Sequence, residues 1–260
     1  MNLAWCLDSG NVDGTRGGAE ITMDTFKAAR PENVNLVGIA TADVVVFGNC
    51  TQFTAKLIPE LMGKRVVRYH HDLGHAGDPT LNRWLDDNAE HIFTSPLHRE
   101  RYSVTWHPQG EVRVDVIPPA MNLEAFRPPR QVRRHGKREG TCTVGSWQNP
   151  GKGGEMIADW ALRNKVEVDV FGPGPFVPVG PYITLRGEVT QDDLPEILWG
   201  YDRFIFLPTA PEPFGRCVVE AAEAGCEVIT NDLVGAKHVL ETDPKSIRTA
   251  AEDFWSLLCD

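Results

Sequence analysis

Pro211-Glu-Pro-Phe-Gly-Arg-Cys-Val-Val-Glu-Ala-Ala-Glu-Ala-Gly-Cys-Glu-Val-Ile-Thr-Asn-Asp232 is the stretch whose reading decides the fold. It follows Arg203-Phe-Ile-Phe-Leu-Pro208, a short apolar run closed by a proline, which reads as a buried parallel strand. Residues 217–224 form a helix-favouring run closed by Gly225 in a C-cap position, and 227–230 begin a second strand. Strand, loop, helix, strand is the repeating unit of a parallel sheet. The loop carries Glu212 and the helix carries Glu220 about one turn inside. Backbone N–H groups of Phe214, Gly215 and Arg216 fall at the helix start, where unpaired donors and the dipole favour an anion.

Around this unit lies a chain of 260 residues, enough for one large α/β domain or two ordinary ones. With 42% hydrophobic and 24% charged residues, its composition is that of a soluble globular protein. No window nears 18 uninterrupted apolar residues, which excludes a helical membrane span. The start, Met1-Asn-Leu-Ala-Trp-Cys-Leu-Asp8, lacks the basic segment of a signal peptide. The six cysteines show no metal or disulfide spacing, so reduced thiols in a cytoplasm are expected.

Net charge is −10 and uneven: residues 140–260 hold 19 acids and 9 bases, residues 1–139 hold 17 of each. That balance opposes a protein that coats nucleic acid. One basic run, Arg127-Pro-Pro-Arg-Gln-Val-Arg-Arg-His-Gly-Lys-Arg138, reads as an interdomain linker.

The rest of the chain repeats the βα theme. Strands are expected at 3–7, 42–47, 64–69, 91–94 and 112–117, then at 141–145, 165–171 and 182–186. Helices fit 20–29, 53–62, 81–89, 96–103, 154–163 and 192–199, with an amphipathic helix at 244–259. After the first strand comes a glycine-rich loop containing Arg16, Gly17 and Gly18, a weak ligand signal by itself. The third of these strands runs into His70-His-Asp-Leu-Gly-His75, at a strand's C-terminal end, where open α/β sheets bind ligands. Adjacent histidines on an extended segment point apart, which disfavours a metal site and favours one histidine hydrogen-bonded to a substrate; a solvated loop is the plain alternative.

Taken together, these landmarks resemble the retaining glycosyltransferases of the GT-B superfamily. Glu212 and Glu220 match its Glu-x7-Glu pattern; Gly145 with Lys152-Gly153 resembles its phosphate stretch; Val170-Phe-Gly-Pro-Gly-Pro175 resembles its Gly-x-Gly-Pro turn. Leu185-Arg-Gly-Glu-Val189 resembles the strand end that meets the base, and Gly17-Gly-Ala-Glu20, His71-Asp72 and Val116-Ile-Pro-Pro-Ala120 match first-half landmarks. The matches run in order from about residue 14 to 240.

The resemblance implies an α/β GT-B fold: a Rossmann-like acceptor-side domain (1–120), the basic linker (121–139), a donor-binding domain (140–243) and a final helix (244–260) returning to the first domain. It implies a hexosyltransferase-type enzyme that moves a sugar from a UDP- or GDP-sugar with retained anomeric configuration. No metal or other cofactor is obligatory in that scheme. His71, Lys152, Glu212 and Arg216 would act in catalysis. Gly17, Gly18, His70, Gly145, Gly187, Glu188, Val189, Phe214, Gly215 and Glu220 would bind the donor, Glu220 at the ribose, Glu212 at the sugar and the 187–189 backbone at the base.

There are two departures. Gly145 is followed by Ser146-Trp147 where many members carry an arginine, so either Lys152 with Arg216 or Arg16 serves the diphosphate or its binding is weaker. The first half is also short for the family, which leaves the acceptor unread. Alternatives are a catalytically degenerate nucleotide-sugar-binding protein, or a transferase whose basic run recruits an anionic acceptor such as nucleic acid.

Overall fold

A computed structural model describes residues 1–6, 18–48, 51–74, 77–103, 111–130, 140–175 and 180–260. They divide into two compact units, Met1–Met121 with Thr242–Asp260, and Asn122–Glu241.

The first unit is built on a six-stranded sheet: β1 (Asn2–Cys6), β2 (Asn35–Leu36), β3 (Val44–Phe47), β4 (Arg65–Tyr69), β5 (Glu90–Phe93) and β6 (Val114–Val116). The order is β2-β1-β3-β4-β5-β6 and every pairing is parallel. Helices α1 (Gly18–Ala28), α2 (Ile58–Leu61), α3 (Pro79–Asn88) and α4 (Pro96–Ser103) alternate with the strands. Because side chains alternate across a strand, the continuous apolar run Val44–Phe47 serves two cores at once. Val44 and Val46 pack with Leu3, Tyr69, Met23 and Phe26, whereas Val45 and Phe47 pack with Ala4, Leu61, Leu81 and Leu85.

Helix α9 (Ser246–Cys259), from the far end of the chain, completes the first of these cores. Phe254 stacks on Phe26 at 4.2 Å, and Trp255 Nε1 donates to the Phe26 carbonyl at 2.8 Å. The last carbonyls of α9, Leu257 and Leu258, accept from Arg65 at 2.8 and 3.0 Å, so a cation sits where the helix dipole favours one.

The second unit carries β7 (Thr141–Val144), β8 (Val168–Phe171), β9 (Ile183–Gly187), β10 (Arg203–Phe206) and β11 (Glu227–Thr230). Its order is β11-β10-β7-β8-β9, again all parallel. The chain starts in the middle at β7, winds outward through β8 and β9, then returns to β10 on the other side. The switch in winding direction therefore lies between β7 and β10, where such sheets form their ligand crevice. The helices are α5 (Gly154–Asn164), α6 (Leu194–Trp199), α7 (Arg216–Glu223) and α8 (Gly235–Thr242).

Helix α7 starts one residue before its expected position and ends in a left-handed Gly225 (φ 83°), with Gly225 and Cys226 N–H groups bonded back to Ala222 and Ala221. The expected linker, 121–139, is partly absorbed into this unit. Leu123–Phe126 forms a 3-10 turn whose Phe126 carbonyl accepts from Trp199 Nε1 at 2.8 Å, and Arg127 pairs with Glu223 at 2.6 Å. Those apolar and ionic contacts fix a segment that composition alone reads as spacer. The bulk of the basic run, 131–139, lies outside the described residues.

Candidate functional site

Lys152 and Glu212 meet at the switch point. Three local features bring them there. The Asn149 side chain accepts from Gly151 N–H at 2.8 Å, closing the turn after β7. Thr209 N–H donates to the Gly151 carbonyl at 2.9 Å, tying the loop after β10 to that turn. Gly153 has φ 81° and lies so close to β10 that a Cβ would stand 1.8 Å from the Leu207 carbonyl oxygen, which only glycine permits. Lys152 Nζ then reaches Glu212 Oε2 at 2.5 Å, with the Phe206 ring 5.9 Å away.

Glu212 is held by its backbone on both sides. Its N–H donates to Leu233 O at 2.7 Å and its carbonyl accepts from Gly235 N–H at 3.0 Å, while Phe214 O accepts from Ala236 N–H at 2.7 Å. The Pro-Glu-Pro-Phe-Gly loop is thus an extended strip pinned to the segment leading into α8, a helix the sequence pattern did not reveal. Asn231 adds to this by donating to Pro208 O at 2.9 Å.

Gly215 caps α7 in a left-handed conformation (φ 82°), with Phe214 buried beneath it and Arg216 as the first helical residue. One turn on, Glu220 is 3% exposed. Its Oε1 lies 3.5 Å from the Arg216 guanidinium and accepts from Gln191 Nε2 at 3.3 Å. Burial pushes the Glu220 carboxyl above its ordinary pKa, against the pull of Arg216 and Gln191. Gln191 was missed by motif reading; a polar residue two places past Val189 gave no signal until α7 was folded beside it.

The glycines upstream shape the same edge. Trp147 is buried, donates through Nε1 to Phe171 O at 2.9 Å, and its ring lies 3.3 Å from where a Cβ on Gly145 would stand. A tryptophan floor therefore supports the Gly145 loop, and Ser146 is exposed. Gly187 ends β9 at φ 86° and its carbonyl accepts from Gly172 N–H at 2.8 Å; Glu188 beside it is exposed and Val189 half-buried. A recess of about 520 Å³, lined in part by Trp147, Gln148, Gly151, Gly153, Pro175 and Thr209, opens beside the Lys152 turn and is of the size that small ligands fill.

In the first unit the two histidines part as an extended segment requires. His70 is 4% exposed: its ring stacks on Phe93 at 4.6 Å and its Nε2 lies 2.8 Å from His91 Nδ1. At the end of β4 the His70 ring thus turns inward and packs in the core. His71 is half-buried beside Tyr69, ring centroids 5.0 Å apart. Gly18 opens α1 and is exposed. Arg16, Gly17 and His75 lie outside the described residues. Among the described residues no three His, Cys, Asp or Glu side chains converge as a metal site would need, and no helix is long and apolar enough to cross a membrane.

No family model and no curated protein sequence matches the chain. Solved structures do. AviGT4, a glycosyltransferase involved in avilamycin A biosynthesis, aligns with a TM-score of 0.67 at 16% identity, over 96% of this chain and 88% of that one. Anabaena Alr3699/HepE, solved with UDP and glucose, aligns at 0.66 and 15%, over 99% and 94%. The fold is GT-B. WaaG, a glycosyltransferase of lipopolysaccharide biosynthesis, shares it at 0.60 and 15% identity, over 99% and 90%. In GT-B terms, the second unit's switch point carries Lys152, Glu212, Arg216 and Glu220 on one sheet edge, with Gly145 and Gly215 at the two adjoining loops.

Proposed function

We propose that this chain is a glycosyltransferase whose second unit binds a nucleoside diphosphate sugar and releases the diphosphate with retention at the anomeric carbon. The observation that carries the reading is the pairing of both motif glutamates with cations at the β7/β10 switch: Lys152 with Glu212, and Arg216 with Glu220. Two cations and the α7 start face the place where a leaving diphosphate gains charge. One well-aimed donor of this kind is worth about 10²–10³-fold in kcat.

The roles follow the chemistry of each group. Glu220, acceptor-only when ionised, suits the paired hydroxyls of a ribose. Glu212 suits hydroxyls of the transferred sugar and keeps Lys152 in place until the donor arrives. The 187–189 backbone reads the base, with Gln191 linking that loop to the ribose carboxylate. His71 is the first unit's candidate for the transferred sugar and its leaving group. No protein carboxylate is needed as nucleophile, because the departing phosphate can take the acceptor's proton on the same face. HepE was solved with UDP-glucose, which makes a UDP-sugar the first donor to try, ahead of GDP-sugars. Because Lys152 and Arg216 supply the positive charge, no divalent metal is required.

Incubation with UDP-glucose and a panel of other UDP- and GDP-sugars in excess EDTA, followed by NMR, tests this. Nucleoside diphosphate is expected to appear with the α anomer of glucose formed first. A β anomer formed first contradicts retention; complete loss of turnover in EDTA contradicts the metal-free mechanism.

A further inference from the structure

His98 does not belong to any motif, yet it is fully buried in the first turn of α4. Its place is fixed from both sides. Ser95 Oγ accepts from His98 N–H at 3.0 Å, capping the helix start directly after β5. Thr94 Oγ1 lies 2.8 Å from His98 Nδ1, and Thr94 N–H approaches the same nitrogen at 3.4 Å. On the other side of the ring, Nε2 is 3.0 Å from the carbonyl oxygen of Asp72. A carbonyl can only accept, so Nε2 carries the proton, and Nδ1 is then left to accept from Thr94. Burial keeps the ring neutral by pushing its pKa down to about 4, although the Asp72 bond pulls the other way.

The consequence concerns the turn that follows β4. His70 N–H donates to Ile92 O at 2.9 Å and the His70 ring is stacked on Phe93. Asp72, two residues on, is exposed at its side chain but held through its carbonyl by His98. His71 is therefore bracketed by two anchored neighbours. The His98 ring also stands edge-on to His70 (6.2 Å, 88°) and to Phe93 (5.3 Å, 80°). A buried imidazole is costly unless its nitrogens are bonded; here the partners come from two successive strand ends.

We propose that His98 is a positioning residue: its Nε2–H bond to Asp72 O fixes the turn that carries His71. This rests on the function proposed above for His71. The two ideas separate in experiment, because the turn can be observed without turnover.

Glutamine and asparagine variants distinguish a positioning role from a merely structural one. A Gln amide reaches roughly where Nε2 lies, whereas an Asn amide stops near Nδ1. In His98→Asn, amide exchange across residues 70–74 should accelerate about 10-fold or more, while the core strand β3 stays protected. In the same variant, kcat for UDP-glucose hydrolysis, read as UDP release, should fall about 10–100-fold with KM within about 3-fold, as for a reacting group displaced by a fraction of an ångström. His98→Gln should restore both readouts to within about 3-fold of wild type, given a donor at the Nε2 position. Unchanged exchange and kcat in His98→Asn overturns the proposal, as does equal loss in both variants with β3 deprotected. If wild type releases no UDP, the functional reading of the site fails, and the exchange comparison alone decides whether His98 holds the turn.

Discussion

Glu220 shows how one residue can be unfavourable for folding and useful for binding. A carboxylate at 3% exposure loses hydration that a single cation at 3.5 Å and one amide only partly replace. Burial raises its pKa above the ordinary 4.5, so ionisation is harder in the fold than in the unfolded chain. The sign follows by linkage: stability linked to this group is fully present below about pH 4.5 and is lost as pH rises through the higher folded value. Melting temperatures measured from pH 4 to pH 7 should therefore show wild type losing ground to Glu220→Gln as pH rises. Parallel curves would contradict a buried, reluctantly ionised Glu220. His98 is the opposite case. Its lowered value means neutral-state stability present above pH 6.5 and lost as pH falls towards about 4. Neither state was legible in the sequence, since burial of a particular polar residue depends on which helix comes to lie over it.

The elements around the site are ordinary, and what positions them is backbone proximity. The turn between β7 and α5 succeeds because Gly153 lies against the Leu207 carbonyl at a distance no side chain tolerates. Gly153→Ala combines that clash with a left-handed φ, and should cost about 2–4 kcal/mol. Gly38→Ala, where a Cβ would meet nothing within 4 Å, should stay within about 0.5 kcal/mol. Urea unfolding midpoints measure both; a Gly153→Ala variant as stable as Gly38→Ala would show that the turn can move away from β10. At this scale the sequence was most readable where periodicity is strong, as in 203–206 and 246–259. It was least readable where pairing alone makes the element. Strand β2 is two exposed residues, held by Asn35 and Val37 N–H groups bonded to Met1 and Leu3 carbonyls. Helix α8 is eight residues behind an Asn-Asp loop, and it was hidden for the same reason: its buried Ala236 and Val239 make too short a stripe to stand out.

Across the whole molecule, two parallel sheets were foreseeable from βα alternation, and the strand order in the second, β11-β10-β7-β8-β9, places its switch point between β7 and β10, whose following loops carry Lys152 and Glu212. Residue identity and winding are separate sources of expectation, and both draw attention to the β7 and β10 ends. The gap between them was the set of supports that carry no motif: Trp147 under Gly145, Gln191 on Glu220, Asn231 on Pro208. The central claim is that this edge binds a nucleoside diphosphate sugar through Glu220. Calorimetric titration of UDP-glucose into wild type and Glu220→Ala tests it most directly. Saturable binding by wild type, weakened about 10–100-fold in the variant, is predicted from the loss of hydrogen bonds to a charged acceptor. Equal affinity in the two proteins, or no saturable binding to wild type at millimolar donor, would contradict it.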